Sequence, residues 1–146
     1  MTLFFDSHIT INTKNFELDP SESIHISKVL RKKAGDEITF TNGKGLEWNG
    51  KLSYNKKNKL IATKQIALEH KKELGKIQIA IAPTKSNHRM EWLVEKLTEI
   101  GVDRITPVLC ERSERKVLKT ERLIKIAITA LKQSNNFFLP KTLLRL

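Results

Sequence analysis

The chain has 146 residues, 39% of them hydrophobic, which suits one ordinary domain or two small ones with a real core. Its formal charge of +11 and isoelectric point of about 9.9 argue against an enzyme of small neutral metabolites and favour a polyanionic partner. Nucleic acid is favoured over a membrane, because no apolar run approaches the roughly 20 residues of a spanning helix. The alternative is a lysine-rich surface that reflects only the composition of the genome.

The cysteine content and the first residues predict the cellular compartment. The single cysteine, Cys110, allows no intramolecular disulfide and fits a reducing environment. Residues 1–6 lack the basic start and the apolar core of a secretory signal. We therefore expect a cytoplasmic protein.

Residues 1–70 predict a small β-barrel. Short β-prone or alternating runs lie at residues 3–5, 9–11, 37–41, 46–52 and 60–63. Turns with asparagine at residues 42–45 and 55–58 connect neighbouring runs as hairpins. The resulting meander is typical of a small barrel.

One helix interrupts this barrel, and a linker follows it. Asp19 is placed to cap the helix and Pro20 to occupy its first turn, and the helix is expected to run to about Leu30. Residues 69–75 are polar, charged and end in glycine, as linkers do. A second domain is then expected over residues 75–146.

The second domain is organised around a strand, a helix and a second strand. Residues 77–82 are almost wholly apolar and stop at Pro83, which predicts a strand buried on both faces of a parallel sheet. Residues 86–100 carry apolar side chains at helical spacing, and Gly101 closes the helix. Residues 104–109 supply the next strand, so the two strands lie parallel and begin an α/β domain.

The last part of the chain predicts a basic loop, a helix and an apolar tail. The loop covers residues 110–119, and Thr120 is the expected cap of the helix. The apolar stripe of that helix is Leu123, Ile124, Ala127, Ile128 and Leu131. Residues 137–146 are apolar and should be buried, although they show no recognisable third parallel strand.

Several catalytic and metal-binding signatures are absent. The sequence has no phosphate-binding glycine loop, dinucleotide fingerprint or serine elbow, and its four histidines show no metal-ligand spacing, so we expect no metal. Three acidic residues share one face of the first long helix: Glu91, Glu95 and Glu99. We expect these carboxylates to be solvated or paired with nearby arginine and lysine.

The basic residues form two groups, both candidate RNA contacts. The first group lies at the first helix and its end: His25, Lys28, Arg31, Lys32 and Lys33. The second follows the carboxyl ends of the parallel strands, where α/β sheets bind ligands: Lys85, Arg89, Arg112, Arg115 and Lys116. Arginine there could hold a phosphate by two parallel hydrogen bonds. A merely solubilising surface is the alternative.

Motifs along nearly the whole chain resemble those of the bacterial 16S ribosomal RNA uridine-N3 methyltransferases. They lie in order at residues 25–31, 35–36, 89–102, 105–107, 111–113, 121–122 and 132–134. The resemblance implies an α+β protein in which a PUA-like β-barrel precedes an α/β domain of SPOUT type. It also implies S-adenosylmethionine as cofactor, 16S rRNA in the small ribosomal subunit as substrate, a knotted C-terminal end and a homodimer.

The sequence departs from that family after residue 134. The family's glycine-rich cofactor loop and its later Leu-Gly-x-Arg segment have no counterpart here, so we expect no cofactor-binding residues in this chain and a truncated, inactive domain. In the implied reaction a uracil N3 loses its proton and takes a methyl group, and Arg89 or Arg112 is the candidate to stabilise the developing negative charge. The alternative function is a stand-alone RNA-binding module without catalysis.

Overall fold

The computed structural model describes residues 2–72, 76–108, 110–113 and 118–142 and separates into two compact units, Met1–Lys71 and Lys72–Leu146. Each unit has a hydrophobic core of its own. Some predictions concern positions outside the described residues: 73–75 of the linker, Leu109 at a strand end, Arg115 and Lys116 of the basic loop, and Leu143, Leu144 and Leu146 of the tail.

Unit 1 is a five-stranded sheet with one helical segment. Its strands are β1 (Leu3–Phe5), β2 (Asn15–Glu17), β3 (Glu37–Thr41), β4 (Leu46–Tyr54) and β5 (Leu60–Glu69). The helical segment is α1 (Pro20–Ile24), which continues directly as a π-helix (His25–Val29). The strand order is β1-β3-β4-β5-β2, and antiparallel pairing of β3 with β4 and of β4 with β5 confirms both predicted hairpins.

The sheet of unit 1 curls around its core. In the strand order β2 is three strands from β3, which is roughly 14 Å in a flat sheet. The ring of Phe16 on β2 nevertheless lies 5.0 Å from that of Phe40 on β3 and 5.1 Å from that of Trp48 on β4, between centroids. The described strands therefore form a barrel-like sheet, in which β1 pairs only with β3 and β2 only with β5.

A glycine in β4 allows the core to pack closely. The register between β4 and β5 shifts at Asn49 and Gly50, as in a β-bulge. A Cβ atom on Gly50 would lie 2.5 Å from Cζ3 of Trp48 and 2.6 Å from the carbonyl oxygen of Thr63. Gly50 therefore lets the buried indole and strand β5 approach the β4 backbone.

Two predictions for unit 1 were wrong. Residues 9–11 are not a strand: Ile9 is buried, and Thr10 and Thr13 close a turn, with the N–H of Thr13 donating to the carbonyl oxygen of Thr10 at 3.0 Å. Strand β2 was missed, because its three residues show no pattern of their own. Pairing with β5, with Phe16 opposite Ala62, makes this segment a strand.

Unit 2 contains a parallel sheet and two long helices. The strands are β6 (Gln78–Ile81), β7 (Arg104–Pro107) and β8 (Lys141–Thr142), in that order, and the helices are α2 (Asn87–Ile100) and α3 (Thr120–Gln133). Parallel pairing of β6 with β7 confirms the predicted arrangement. Gly101 ends α2 in a left-handed conformation, with φ of 86°, as the sequence predicted.

The helices pack together on one face of this sheet. Met90 and Val94 of α2 meet Leu123 and Ala127 of α3 and Ile105 of β7 in the core. At the amino ends of the strands, the carboxylate of Asp103 accepts hydrogen bonds from the ammonium of Lys72 at 2.9 Å and from the N–H of Ile77 at 2.7 Å. These bonds hold the pKa of Asp103 below its usual value, and the bond from Lys72 has the largest effect.

Three predictions for unit 2 need correction. Strand β6 is not buried on both faces: Gln78 and Ala80 are exposed, because the two helices cover the opposite face. A third parallel strand does exist, since β8 pairs with β7, but two residues are too few to recognise in a sequence. Thr120 is not the cap but the first residue of α3, and the cap position is held by Lys119 without a side-chain hydrogen bond.

For the apolar stripe of α3 and for the tail, the structure agrees better with the sequence-based predictions. In the last helix Leu123, Ala127 and Leu131 are buried as expected, whereas Ile124 is exposed and Ala130 is buried in its place. Of the described tail residues, Phe137, Phe138 and Leu139 are half-buried, and Leu139 packs against the core of unit 2.

Candidate nucleic-acid interface

The first basic group lies on a helix with a well-defined start. The carboxylate of Asp19 accepts hydrogen bonds from the N–H of Ser21 at 2.8 Å and from its hydroxyl at 2.6 Å, and Pro20 occupies the first position of α1. The Ser21 hydroxyl is the main reason that the pKa of Asp19 lies below its usual value. The predicted cap and first-turn proline are thus confirmed.

This helix does not end in the ordinary way, because it widens into the π-helix. The N–H of Leu30 donates to the carbonyl oxygen of His25 at 3.0 Å, and the N–H of Lys32 donates to that of Ile26, also at 3.0 Å. Arg31 between them is left-handed, with φ of 55°, a conformation that costs a non-glycine residue about 1–2 kcal/mol. Such π-turns and strained residues occur frequently at functional sites.

We call His25, Lys28, Arg31, Lys32 and Lys33 the helix cluster. Four of them are exposed, and Ile26, fully buried beside them, anchors the segment to the core of unit 1. Lys32 is half-buried, and its ammonium donates to the carbonyl oxygen of Glu37 at 2.8 Å. Within the described residues none of the five forms an ion pair, so the charges of the exposed Lys28, Arg31 and Lys33 face solvent or a partner.

The second basic group lies where the parallel strands end. Lys85 is exposed in the loop after β6, and Arg89 is exposed in the first turn of α2, where its N–H donates to the capping hydroxyl of Ser86 at 3.5 Å. Arg112 is exposed in a turn after β7 that Cys110 and Ser113 close by mutual hydrogen bonds. Because β6 and β7 are neighbouring parallel strands, both loops leave the same edge of the sheet.

The acidic residues of α2 form ion pairs with neighbouring cationic side chains. Glu91 binds Arg122 of α3 through two contacts, 2.7 Å from Nε to Oε1 and 3.0 Å from Nη2 to Oε2. Glu95 and Glu99 both accept hydrogen bonds from the ammonium of Lys96. These bonds raise the pKa of the Lys96 ammonium, and the bond to Glu95 has the larger effect. The expectation that these carboxylates pair with nearby cations is confirmed, and none of them neutralises Lys85, Arg89 or Arg112 by an ion pair in the described residues.

One surface of unit 1 was not among the sequence-based predictions, a groove between α1 and the tip of the β4–β5 hairpin. Its volume is about 380 Å³. We call it the hairpin groove and define it by Leu18, Pro20, Ile24, Tyr54, Asn58 and Leu60. The only tyrosine of the chain lies directly before a turn with two lysines, which was the available signal.

The described residues were compared with the requirements of a metal site and of a membrane span. Within those ranges no three histidine, cysteine, aspartate or glutamate side chains gather as metal ligands. No helix among the described residues is both long and apolar enough to cross a bilayer.

Family models match both parts of the chain. The model of the RNA methyltransferase domain matches residues 70–144, which is more than half of the chain, and the model of the RNA methyltransferase PUA domain matches residues 18–65. The chain belongs to the RNA methyltransferase family.

Relatives of this chain include curated proteins and solved structures. Ribosomal RNA small subunit methyltransferase E of Bacillus subtilis is 30% identical over 135 residues, covering 88% of this chain and 52% of the relative. A structure described as a probable rRNA-methyltransferase from Porphyromonas gingivalis is 37% identical, with a TM-score of 0.87, covering 97% of this chain and 59% of the other. The Neisseria gonorrhoeae enzyme of the same name as the Bacillus protein, bound to S-adenosyl methionine, is 26% identical, with a TM-score of 0.81, covering 99% and 61%.

The chain thus spans about half to three fifths of the length of these relatives. A small cavity at the starts of α2 and α3 is lined in part by Asn87, Met90, Leu118 and Leu123. Its volume is about 10 Å³, room for a single water molecule. The cavity therefore does not fit S-adenosylmethionine, and no methyl-transfer step can be assigned to it.

Proposed function

We propose that this chain is part of an S-adenosylmethionine-dependent methyltransferase that modifies N3 of a uracil in 16S ribosomal RNA. In this proposal residues 1–70 are a PUA-like domain that binds the RNA, and residues 75–146 are the first part of a SPOUT-type catalytic domain. The full-length protein is a cytoplasmic homodimer whose knotted end holds the cofactor. The proposal rests on the family membership and on the lengths of the relatives.

The helix cluster is the observation that best supports RNA binding by unit 1. Its exposed cations lie on one short segment, which a capped helix start and the buried Ile26 hold in place. Because this segment is already ordered, binding a phosphate backbone requires little further loss of backbone entropy. Arg89 and Arg112 are the proposed contacts of unit 2 with the RNA or with the reacting uracil.

A second candidate function is a stand-alone RNA-binding module without catalysis. The match of the PUA-domain model to residues 18–65 and the net charge of +11 favour it, because RNA binding by such a domain requires no cofactor. Both functions require RNA binding by unit 1. They differ in whether methyl transfer occurs when the family's glycine-rich cofactor loop is supplied.

Filter-binding titrations with a structured 16S rRNA fragment test the shared requirement. If the four cations Lys28, Arg31, Lys32 and Lys33 each neutralise one phosphate, together they contribute about −3.6 to the slope of the logarithm of the affinity against the logarithm of the salt concentration. Replacing the three exposed ones in a Lys28→Gln, Arg31→Gln, Lys33→Gln variant should make the slope less steep by about 2.7. Lys32 is left in place because its ammonium holds the Glu37 carbonyl.

A matched variant controls for the loss of net charge. Lys14, Lys44 and Lys51 are exposed lysines of unit 1 outside the helix cluster, and replacing all three by Gln removes the same charge. We expect this variant to keep a slope close to that of the wild type. An unchanged slope in the helix-cluster variant, or equal slopes in both variants, would remove the helix cluster from the interface.

A further inference from the structure

The hairpin groove has a buried floor and exposed apolar walls. Leu18 and Leu60, each only 5% exposed, form its floor and belong to the core of unit 1. Ile24 on one wall is 55% exposed, and Tyr54 on the other is 48% exposed. Apolar side chains this open around a concave surface are typical of a binding site for a flat or apolar group.

Local hydrogen bonds order both walls of the groove. The Asn55 side chain organises the turn after Tyr54, because its Oδ1 accepts from the N–H groups of Lys57 at 2.9 Å and of Lys59 at 3.0 Å. On the helical wall the hydroxyl of Ser27 donates to the carbonyl oxygen of Ser23 at 2.7 Å. The groove therefore exists before any ligand arrives, which limits the entropy lost on binding.

Three exposed lysines neighbour lining residues of the groove along the chain and give its surroundings a positive charge. Lys56 and Lys57 lie in the turn between Tyr54 and Asn58, both of which line the groove. Lys28 directly follows Ser27, which lines the groove on the helical side. These three lysines are exposed and form no ion pair in the described residues, whereas Glu17 at the rim is already paired with Lys59. An apolar slot with a tyrosine ring and a cationic rim is complementary to a nucleotide, whose base is flat and whose phosphate is negative.

We propose that the hairpin groove holds one unpaired base of the RNA that this chain binds, with the base stacked on the ring of Tyr54. Lys28, Lys56 and Lys57 then lie near the phosphates on either side of that base. The base must be unpaired, because bases within a helix are already stacked and only loops, bulges and ends can present a free face. This inference rests on the proposed RNA-binding function and adds a base site to its phosphate contacts.

The test compares two RNAs of equal length, a hairpin with 2-aminopurine in its loop and a blunt duplex. Stacking on Tyr54 should quench the 2-aminopurine fluorescence on binding. A Tyr54→Ala variant should abolish this quenching and bind the hairpin about 5- to 160-fold more weakly, the range for removal of a stacking aromatic. Its duplex affinity and the salt slope for both RNAs should stay as in the wild type, because no phosphate contact is lost.

Two further variants separate stacking from general damage. Tyr54→Phe keeps the ring and should bind and quench like the wild type. Ile66→Ala removes another exposed apolar side chain, 53% exposed on β5, and should also behave like the wild type. Circular dichroism and thermal unfolding show that each variant is folded, and the exposure of both side chains makes this the expected result.

The outcomes distinguish this inference from the proposed function. Salt-dependent RNA binding by the wild type, together with unchanged hairpin affinity and quenching in Tyr54→Ala, overturns the base site and leaves the RNA-binding function standing. Failure of the wild type to bind either RNA overturns both. A Tyr54→Ala variant that binds RNA normally but loses self-association in sedimentation assigns the groove to a second copy of the chain and overturns the base site.

Discussion

Gly50→Ala should strongly destabilise unit 1, because the added methyl group has no space in the packed core. Its Cβ would lie 2.5 Å from Cζ3 and 2.6 Å from Cη2 of Trp48, and 2.6 Å from the carbonyl oxygen of Thr63. The indole cannot simply rotate away, since it is fully buried and its Nε1 donates to the carbonyl oxygen of Thr13 at 2.9 Å.

The size of the effect follows from these contacts. Overpacking of a close-packed core costs about 1–3 kcal/mol, and loss of the hydrogen bond from Trp48 to Thr13 adds about 1 kcal/mol. We expect the free energy of unfolding to fall by about 3 kcal/mol. For a unit of this size that corresponds to a fall in Tm of roughly 12–24 °C.

The assay is urea unfolding followed by tryptophan fluorescence. Because the chain has two tryptophans, a Trp92→Phe background leaves Trp48 as the only reporter, and Trp48 lies in the core of unit 1. The midpoint should move to lower urea concentration without a change in the slope m. Trp92 is 57% exposed, so its replacement should itself have little effect on stability.

Gly35→Ala is the matched control. Gly35 has φ of 93° and no atom within 4 Å of an added Cβ, so alanine there should cost only the backbone strain of about 1–2 kcal/mol. Gly50 lacks a positive φ and therefore this backbone strain, so a loss of stability in Gly50→Ala beyond that in Gly35→Ala must come from the steric clash. If Gly50→Ala is no less stable than Gly35→Ala, the tight packing of Trp48 against β4 is refuted.

Three further predictions concern unit 2. Asp103→Asn should reduce the stability of unit 2 above pH 4 and flatten the acid limb of its curve of stability against pH. The lowered pKa of Asp103 contributes stability at pH values above the usual pKa of 3.8, and this stability is lost as the pH falls through the folded pKa. Thermal unfolding between pH 3 and pH 7 measures the effect. Arg122→Ala should lower the free energy of unfolding by less than about 1 kcal/mol in urea titrations, because the Glu91–Arg122 pair is largely exposed on the arginine side; a larger loss would contradict a surface role. Isothermal titration of this chain with S-adenosylmethionine should give no binding heat, with the Neisseria gonorrhoeae relative as positive control, and micromolar one-to-one binding would show that a cofactor pocket lies within these residues.

Local chemistry made several elements predictable from the sequence. Asp19 with Pro20 marks a helix start, and Gly101 after an apolar stripe marks a helix end, because capping and left-handed turns depend on one or two residues. The turns with asparagine at residues 42–45 and 55–58 placed two hairpins for the same reason. The motifs between residues 25 and 134 were also sufficient to recognise the family.

Other features depend on partners that are distant along the chain. Strands β2 and β8 are extended only because β5 and β7 offer hydrogen bonds to them, so two or three residues without a pattern could not reveal them. The exposed face of β6 depends on which side the helices cover. The π-helix before Arg31 depends on where the buried Ile26 fits in the core, which no local spacing predicts.

Some features of the candidate sites were likewise predictable from the sequence, whereas others depend on the tertiary structure. Sequence alone determined that basic residues follow the first helix and the parallel strands, because charge is a property of each residue. Only the tertiary structure decided that Lys32 holds a backbone carbonyl while its neighbours are exposed, and that Ile24 and Tyr54, far apart in sequence, face one groove. Burial and proximity come from packing between segments, and they determine which of these residues a nucleic acid can reach.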